Sequence, residues 1–354
     1  MTANPQKPPL LSADEVQSRT IYFLRFLLIL AVVFTHARIR EPWQPYQNGY
    51  SLFVYIFTGV FERLPALVLF SGYLFFRSGF STSVYARKLK SRIKSLLVPY
   101  LFWNAAVVLF YVLLQTYLLS RGQTPDSKLI ADYTPHDWIV AFWNGPIAPQ
   151  FWFIRNLMMV MVLSPVFYLL LRYLKLFGLV LTALPWLLGV DVVWRMHTYT
   201  FFFFSAGAWF ALRQENFVER LMPHWKWSGL LFLLTACVQV SRYLSGLPAI
   251  EIVNKIGLCA SVVFLIAVTG KLTASNRLKV NIGLCQSSFF VFATHFIPVG
   301  LVRQGLIPFF PENAWSFFLV HMLTAGSVIL FCIGLYRFLH RFTPRFLSVI
   351  TGGR

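Results

Sequence analysis

Apolar runs long enough to cross a lipid bilayer recur along the whole chain, and they constrain its fold more than any other feature. A spanning helix needs about 20 largely apolar residues. Ten stretches read as spans: roughly 20–38, 52–76, 95–119, 151–171, 174–193, 197–212, 228–246, 254–270, 285–305 and 316–337. Inside hydrocarbon every backbone polar group must be satisfied internally, which helices achieve within a single segment. The expected fold is therefore all-α, a polytopic integral membrane protein with about ten transmembrane helices. Only 12% of the residues are charged, against roughly 25% in an average soluble domain.

The connections are mostly short, and no internal repeat or soluble domain interrupts the spans. The expected division is a cytoplasmic N-terminal tail (1–19), a transmembrane domain (20–341) and a cytoplasmic C-terminal tail (342–354). The longest connection, 120–150, reads as an extramembrane loop with a short interfacial helix. The first 20 residues lack a positive n-region and a small-residue cleavage site, so the first span is expected to stay as an anchor. The four cysteines all fall within spans, without metal-ligand spacing, and read as small apolar side chains.

A formal charge of +19 raises the question of nucleic acid. The distribution of that charge answers it. With the N-terminus inside, 20 of the 31 lysines and arginines fall on cytoplasmic segments and eight on outer ones. That is the positive-inside pattern, which places both termini in the cytoplasm and removes the case for a nucleic-acid partner. The remaining three, Arg25, Arg63 and Arg155, lie within spans and face a single intramembrane acid, Glu62. Intramembrane charges are costly and mark functional sites. Arginine stays protonated, so a surplus of it inside a bundle calls for an anionic ligand or a developing negative charge. Snorkelling to headgroups is open to Arg25 and Arg155, near their helix ends. Arg63 is central, and adjacent Glu62 points to another helix face.

Helix geometry links Arg25 to His36. Eleven residues at about 100° each return to within about 20° of the starting direction, some 16 Å further along the axis. One face of the first helix thus carries a fixed cation near the cytoplasm and a titratable base near the outer surface. The basic run "RKLKSRIKSLLVPY" follows the second span. It serves as positive-inside anchoring or, through Arg87, Lys90 and Arg92, as a collar for a phosphorylated ligand.

In order, these segments resemble the membrane-bound acyltransferase family 3, bacterial enzymes that mostly O-acetylate cell-surface carbohydrates. The resemblance rests on Arg25, ten residues and His36; on Arg63, Pro65 and the turn Ser71-Gly72-Tyr73; and on the basic run ending in Pro99-Tyr100. It continues with "FWFIRNLMMVMVLSP" and with "SSFFVFATH", which ends at His295, and it extends from about residue 20 to 340. Phe26 stands where the family commonly has glycine after the leading arginine, and the basic run has no Arg-x-x-Arg.

The resemblance implies a bacterial inner-membrane enzyme that moves an acyl group, acetyl in the first instance, from acyl-CoA to a carbohydrate hydroxyl. Acyl-CoA is a substrate, and no permanently bound cofactor is expected. His36 then acts as general base, with Arg25 and Arg63 as catalytic partners. Arg155, Arg87, Lys90, Arg92, Ser71, Tyr73 and His295 are candidates for binding donor or acceptor. A carbohydrate acceptor, membrane lipid and a polysaccharide-synthesis machinery are the expected partners. Broken helices and central charges would also suit a transporter or flippase. The acceptor, the acyl group, a covalent acyl-histidine step and the oligomeric state stay open at the level of sequence.

Overall fold

The computed structural model describes residues 11–39, 49–61, 64–125, 127–190 and 196–353. Its first part runs α1 (Ala13–Ala37), α2 (Gly49–Tyr55), α3 (Pro65–Phe76), α4 (Thr82–Arg92), α5 (Val98–Ser120) and α6 (Pro135–Ile139). Next come α7 (Trp152–Val162), α8 (Ser164–Tyr173), α9 (Lys175–Leu187), α10 (Tyr199–Leu212), α11 (Phe217–Leu221) and α12 (Trp225–Leu244). The chain closes with α13 (Glu251–Ala274), α14 (Ile282–Cys285), α15 (Ser288–Thr294), α16 (Phe296–Leu306), α17 (Ala314–Phe342) and α18 (Pro344–Thr351). There is no β-strand among the described residues.

The all-α polytopic architecture is as the sequence predicts, but the count of ten is not established. Among the described residues five helices are long and apolar enough to cross a bilayer, or seven if each of two bent pairs is one span. The stretches 52–76, 174–193 and 197–212 are built from shorter helices of 10–17 residues. The break in 52–76 has a local cause. A π-helical turn, Ile56–Phe61, precedes Pro65, which opens α3 at a position where its missing N–H costs nothing. Glu62 and Arg63 lie outside the described residues. The stretch 151–171 bends by 55° before Ser164-Pro165, and 285–305 bends by 72° at His295.

The third predicted span begins earlier than expected. Apolar periodicity starts at residue 95, yet the helical path is continuous from Thr82 to Ser120. A π-helical turn at Ile93–Leu97 joins its basic and apolar halves. The basic run is therefore the end of a long helix, which fixes the direction of its side chains.

Local sequence explains where several helices begin. Ser12 and Glu15 form a reciprocal capping box at the start of α1. Asn216, Asn281 and Asn313 cap α11, α14 and α17 through their side-chain oxygens. In the connection 120–150, Thr134 and Asp137 cap α6, the expected short helix, while Lys128 lies 2.6 Å from the Asp137 carboxylate. That ammonium and the Thr134 hydroxyl hold the carboxyl well below the usual carboxylate range. The loop keeps this cap until strongly acid pH.

Helix α1 runs through the centre, packed against α13, α15, α16 and α17. The tightest pairing is α3 on α10, where Gly72 meets the Phe204 carbonyl and Gly207 meets the Leu69 carbonyl. Small residues let transmembrane backbones approach this closely. A Cβ at either glycine would strike backbone that cannot yield. Gly207→Leu is expected to cost about 1–3 kcal/mol or more, read as a lowered melting temperature in detergent. Gly326→Ala in α17, where an added Cβ meets nothing within 4 Å, is the matched control and should melt like the parent.

At the other extreme of the chain, α18 packs on the bundle. Helix α18 buries Leu347 and Ile350 against Phe290 and Tyr336, and Trp103 donates its indole N–H to the Ile350 carbonyl at 2.9 Å. Gly352 sits on the Ser95 backbone, beside the basic end of the long helix. Asn216 donates to the Ala13 carbonyl at 2.9 Å, linking the start of α1 to α11.

Candidate active site

Because α1 is helical without interruption from Ala13 to Ala37, Arg25 and His36 share one face as their spacing requires. Arg25 opens into a cavity of about 170 Å³ at the basic end of the bundle. Arg92 enters the same cavity from the end of α4, together with Ser71 from α3 and Ser288 from α15. The remaining walls are apolar, among them Ile29, Phe70, Leu157 and Phe292. Two guanidinium groups thus face one space, and no described carboxylate forms an ion pair with either. Spacing on α4 separates the basic side chains: at about 100° per residue, Arg92 points about 140° away from Arg87 and about 160° away from Lys90. Both Arg92 and Leu96 reach the cavity, whereas Arg87 and Lys90 remain on the exposed face. Lys88 folds back, donating to the Phe75 carbonyl with its ammonium over the Phe75 ring.

Towards the opposite end of α1, the cavity wall leads to a second polar centre. Phe292, which lines the cavity, lies 6.4 Å from His295, centroid to centroid. The His295 ring is in turn 5.2 Å from that of His36. His295 is fully buried at the bend between α15 and α16. Its Nδ1 lies 3.1 Å from the Val291 carbonyl, which can only accept, so Nδ1 carries the proton. The other nitrogen, Nε2, is then a lone pair with no partner among the described residues.

The end of α1 that carries His36 is held by residues the sequence reading did not single out. Arg303 donates to the carbonyls of His36 at 3.3 Å and Arg38 at 2.8 Å. His321 donates from Nε2 to the Phe34 carbonyl at 2.7 Å, which leaves its Nδ1 to accept from the Tyr50 hydroxyl at 2.9 Å. The same hydroxyl accepts from the Ile39 N–H at 2.9 Å. Terminal helix carbonyls lack intrahelical partners, and here side chains from α16 and α17 address them, while Tyr50 of α2 holds His321 and the Ile39 N–H. His321 could have been found by the criterion that selected His36, being a histidine within a predicted span. Arg303 stands two residues from the end of the predicted span 285–305, where it counts with the connection that follows.

The other candidates lie elsewhere. Arg155 is buried, but its guanidinium donates to the carbonyls of Trp143 at 2.6 Å and Asn144 at 2.8 Å, and to the Asn156 side chain. It fastens the 120–150 connection to α7, while its neighbours Ile154 and Leu157 line the cavity. Tyr73 accepts from Gln17 at 2.9 Å and packs against Phe217, joining α3 to α1 and α11 outside the cavity. Of the sequence candidates, Arg25, Ser71 and Arg92 meet at one end of the seam, and His36 and His295 at the other. Among the described residues no group of three or more His, Cys, Asp or Glu could hold a metal ion.

No solved structure matches the chain. The succinoglycan biosynthesis protein ExoH of Rhizobium meliloti (strain 1021) is 27% identical over 359 residues, covering 96% of this chain and 94% of that protein. The family model described as "Acyltransferase domain" matches residues 20–337, from the body of α1 to the last turns of α17. A cation-lined cavity and a histidine centre on one helix seam, within a family match that spans nearly the whole bundle, make this chain a member of acyltransferase family 3 and an acyltransferase.

Proposed function

We propose that the protein transfers an acyl group, acetyl in the simplest case, from cytoplasmic acyl-CoA to a hydroxyl of an extracytoplasmic carbohydrate. The acceptor class is supported by the relative's part in succinoglycan biosynthesis. The observation that carries the reading is the polarity of the α1 seam. Arg25 and Arg92 share a cavity at the basic end, and His36 stands on the same helix face at the other.

In this reading the charged head of the donor stays among Arg87, Lys90 and Arg92. The cavity, at about 170 Å³, is smaller than the roughly 300–1,000 Å³ of typical ligand pockets. It suits a thin apolar arm and excludes a nucleotide. Arg25 meets the arm on its way outward, and Ile29, Phe70 and Phe292 enclose it. At the outer end His36 takes the proton of the acceptor hydroxyl, whose oxygen attacks the thioester carbon. The carbon–sulfur bond breaks, and the departing thiolate recovers the proton from His36. An imidazole has a basicity matched to this exchange near neutral pH. Arg63 is the arginine left to favour negative charge at the thioester oxygen, because Arg155 is engaged by the loop and Arg25 stands about 16 Å along α1 from His36. The enzyme is placed in the bacterial inner membrane, where cytoplasmic donor and exported glycan face opposite surfaces.

The test is kinetic. Neutralising Arg87, Lys90 and Arg92 together should raise KM for acyl-CoA more than it lowers kcat, because the collar contributes binding. High ionic strength should reproduce part of the loss in the parent enzyme through screening. A fall in kcat alone, with KM for the donor unchanged and no salt dependence, would remove the collar from donor recognition.

A further inference from the structure

Resting on the assignment of His36 as the base, we propose that His295 is its positioning residue: its Nε2 accepts the hydrogen bond of the His36 ring N–H that faces away from the acceptor. Three observations carry this. The Val291 carbonyl fixes the proton of His295 on Nδ1, so Nε2 is an acceptor. That Nε2 is buried with no partner among the described residues, although an unsatisfied buried polar atom is costly. The two rings lie 5.2 Å apart between centroids, a separation that leaves about 3 Å between facing nitrogens once they turn edge-on.

The bend at His295 gives the arrangement its direction. Helices α15 and α16 diverge by 72° at this residue, so the imidazole stands where the helical path breaks, against the outer end of α1. A base needs one nitrogen unprotonated towards its substrate and the other held, and a neighbouring acceptor selects that tautomer. When His36 takes the hydroxyl proton it becomes an imidazolium with two N–H groups. The His295 lone pair then meets the one turned inward. His295 itself neither gains nor loses a proton, and the hydroxyl proton still leaves on the thiolate. The group works as the carboxylate does behind the histidine of a serine-protease triad, with a neutral acceptor in place of an ionised one.

His295→Leu and His295→Gln, each purified with the full chain, separate this role from packing. Leucine removes the acceptor, and kcat should fall about 100-fold or more with KM for acyl-CoA unchanged. Glutamine can place its Oε1 near the position of Nε2 and should return kcat to within about tenfold of the parent. His295→Leu turning over at the parent rate would overturn the proposal, as would His295→Gln being as slow as a well-folded His295→Leu. His36→Ala run alongside distinguishes the two levels. If it is dead while His295→Leu is fully active, only the positioning role fails; if it is active, the base assignment itself fails.

Discussion

His36→Ala is expected to abolish acyl transfer while leaving the protein in the membrane at its normal abundance. A positioned base contributes about 10²–10⁴-fold to rate, and the alanine variant forfeits that contribution whatever the concentration of donor. The fold loses little. His36 is half-buried on the last turn of α1, and Arg303 grips this turn through backbone carbonyls, which alanine retains. Immunoblotting of membranes reports abundance, and ester content of the exported glycan reports activity. Wild-type ester content with normal abundance would end the base assignment.

Arg25 should divide its substitutions according to what its guanidinium does. If it grips an anionic or carbonyl oxygen through a planar fork, lysine is a poor replacement, because an ammonium offers a point charge on a flexible stem. Arg25→Lys should then lose most of the donor affinity and product yield that Arg25→Ala loses. The structure favours that outcome over snorkelling, since the side chain opens into a cavity shared with Arg92. Full activity in Arg25→Lys would show that charge alone suffices at this position.

The Arg25–His36 seam was legible in the sequence because a helix converts spacing into direction without reference to its neighbours. The break ahead of α3 was legible at Pro65, and the bend ahead of α8 has a comparable mark in Pro165. Other features depend on packing. Nothing in "RKLKSRIKSLLVPY" announces the π-helical turn at Ile93–Leu97, or which face of α4 meets the bundle and so carries Arg92 inward while Arg87 and Lys90 stay exposed. The nearness of His295 to His36 comes from the packing of both α15 and α16, which meet at His295, against α1. Arg155 shows the same dependence on packing. An intramembrane arginine reads as functional, yet loop carbonyls from 143 and 144 satisfy it. Hydropathy likewise marks apolar stretches without giving the length of the helices in them: α9 and α10 have 13 and 14 residues.

The most direct test of the account uses purified protein in detergent, supplied with acyl-CoA and a soluble glycan acceptor, without compartments or gradient. An acyltransferase of the proposed kind needs only that both substrates reach the α1 seam, and detergent admits them at either end. Free CoA and an acyl ester should appear in equal amounts, with His36→Ala yielding neither. A transporter has no output in this assay. Absence of CoA release with every glycan acceptor tried, together with glycan movement across proteoliposome membranes, would contradict the account and make the arginine-lined cavity part of a translocation path.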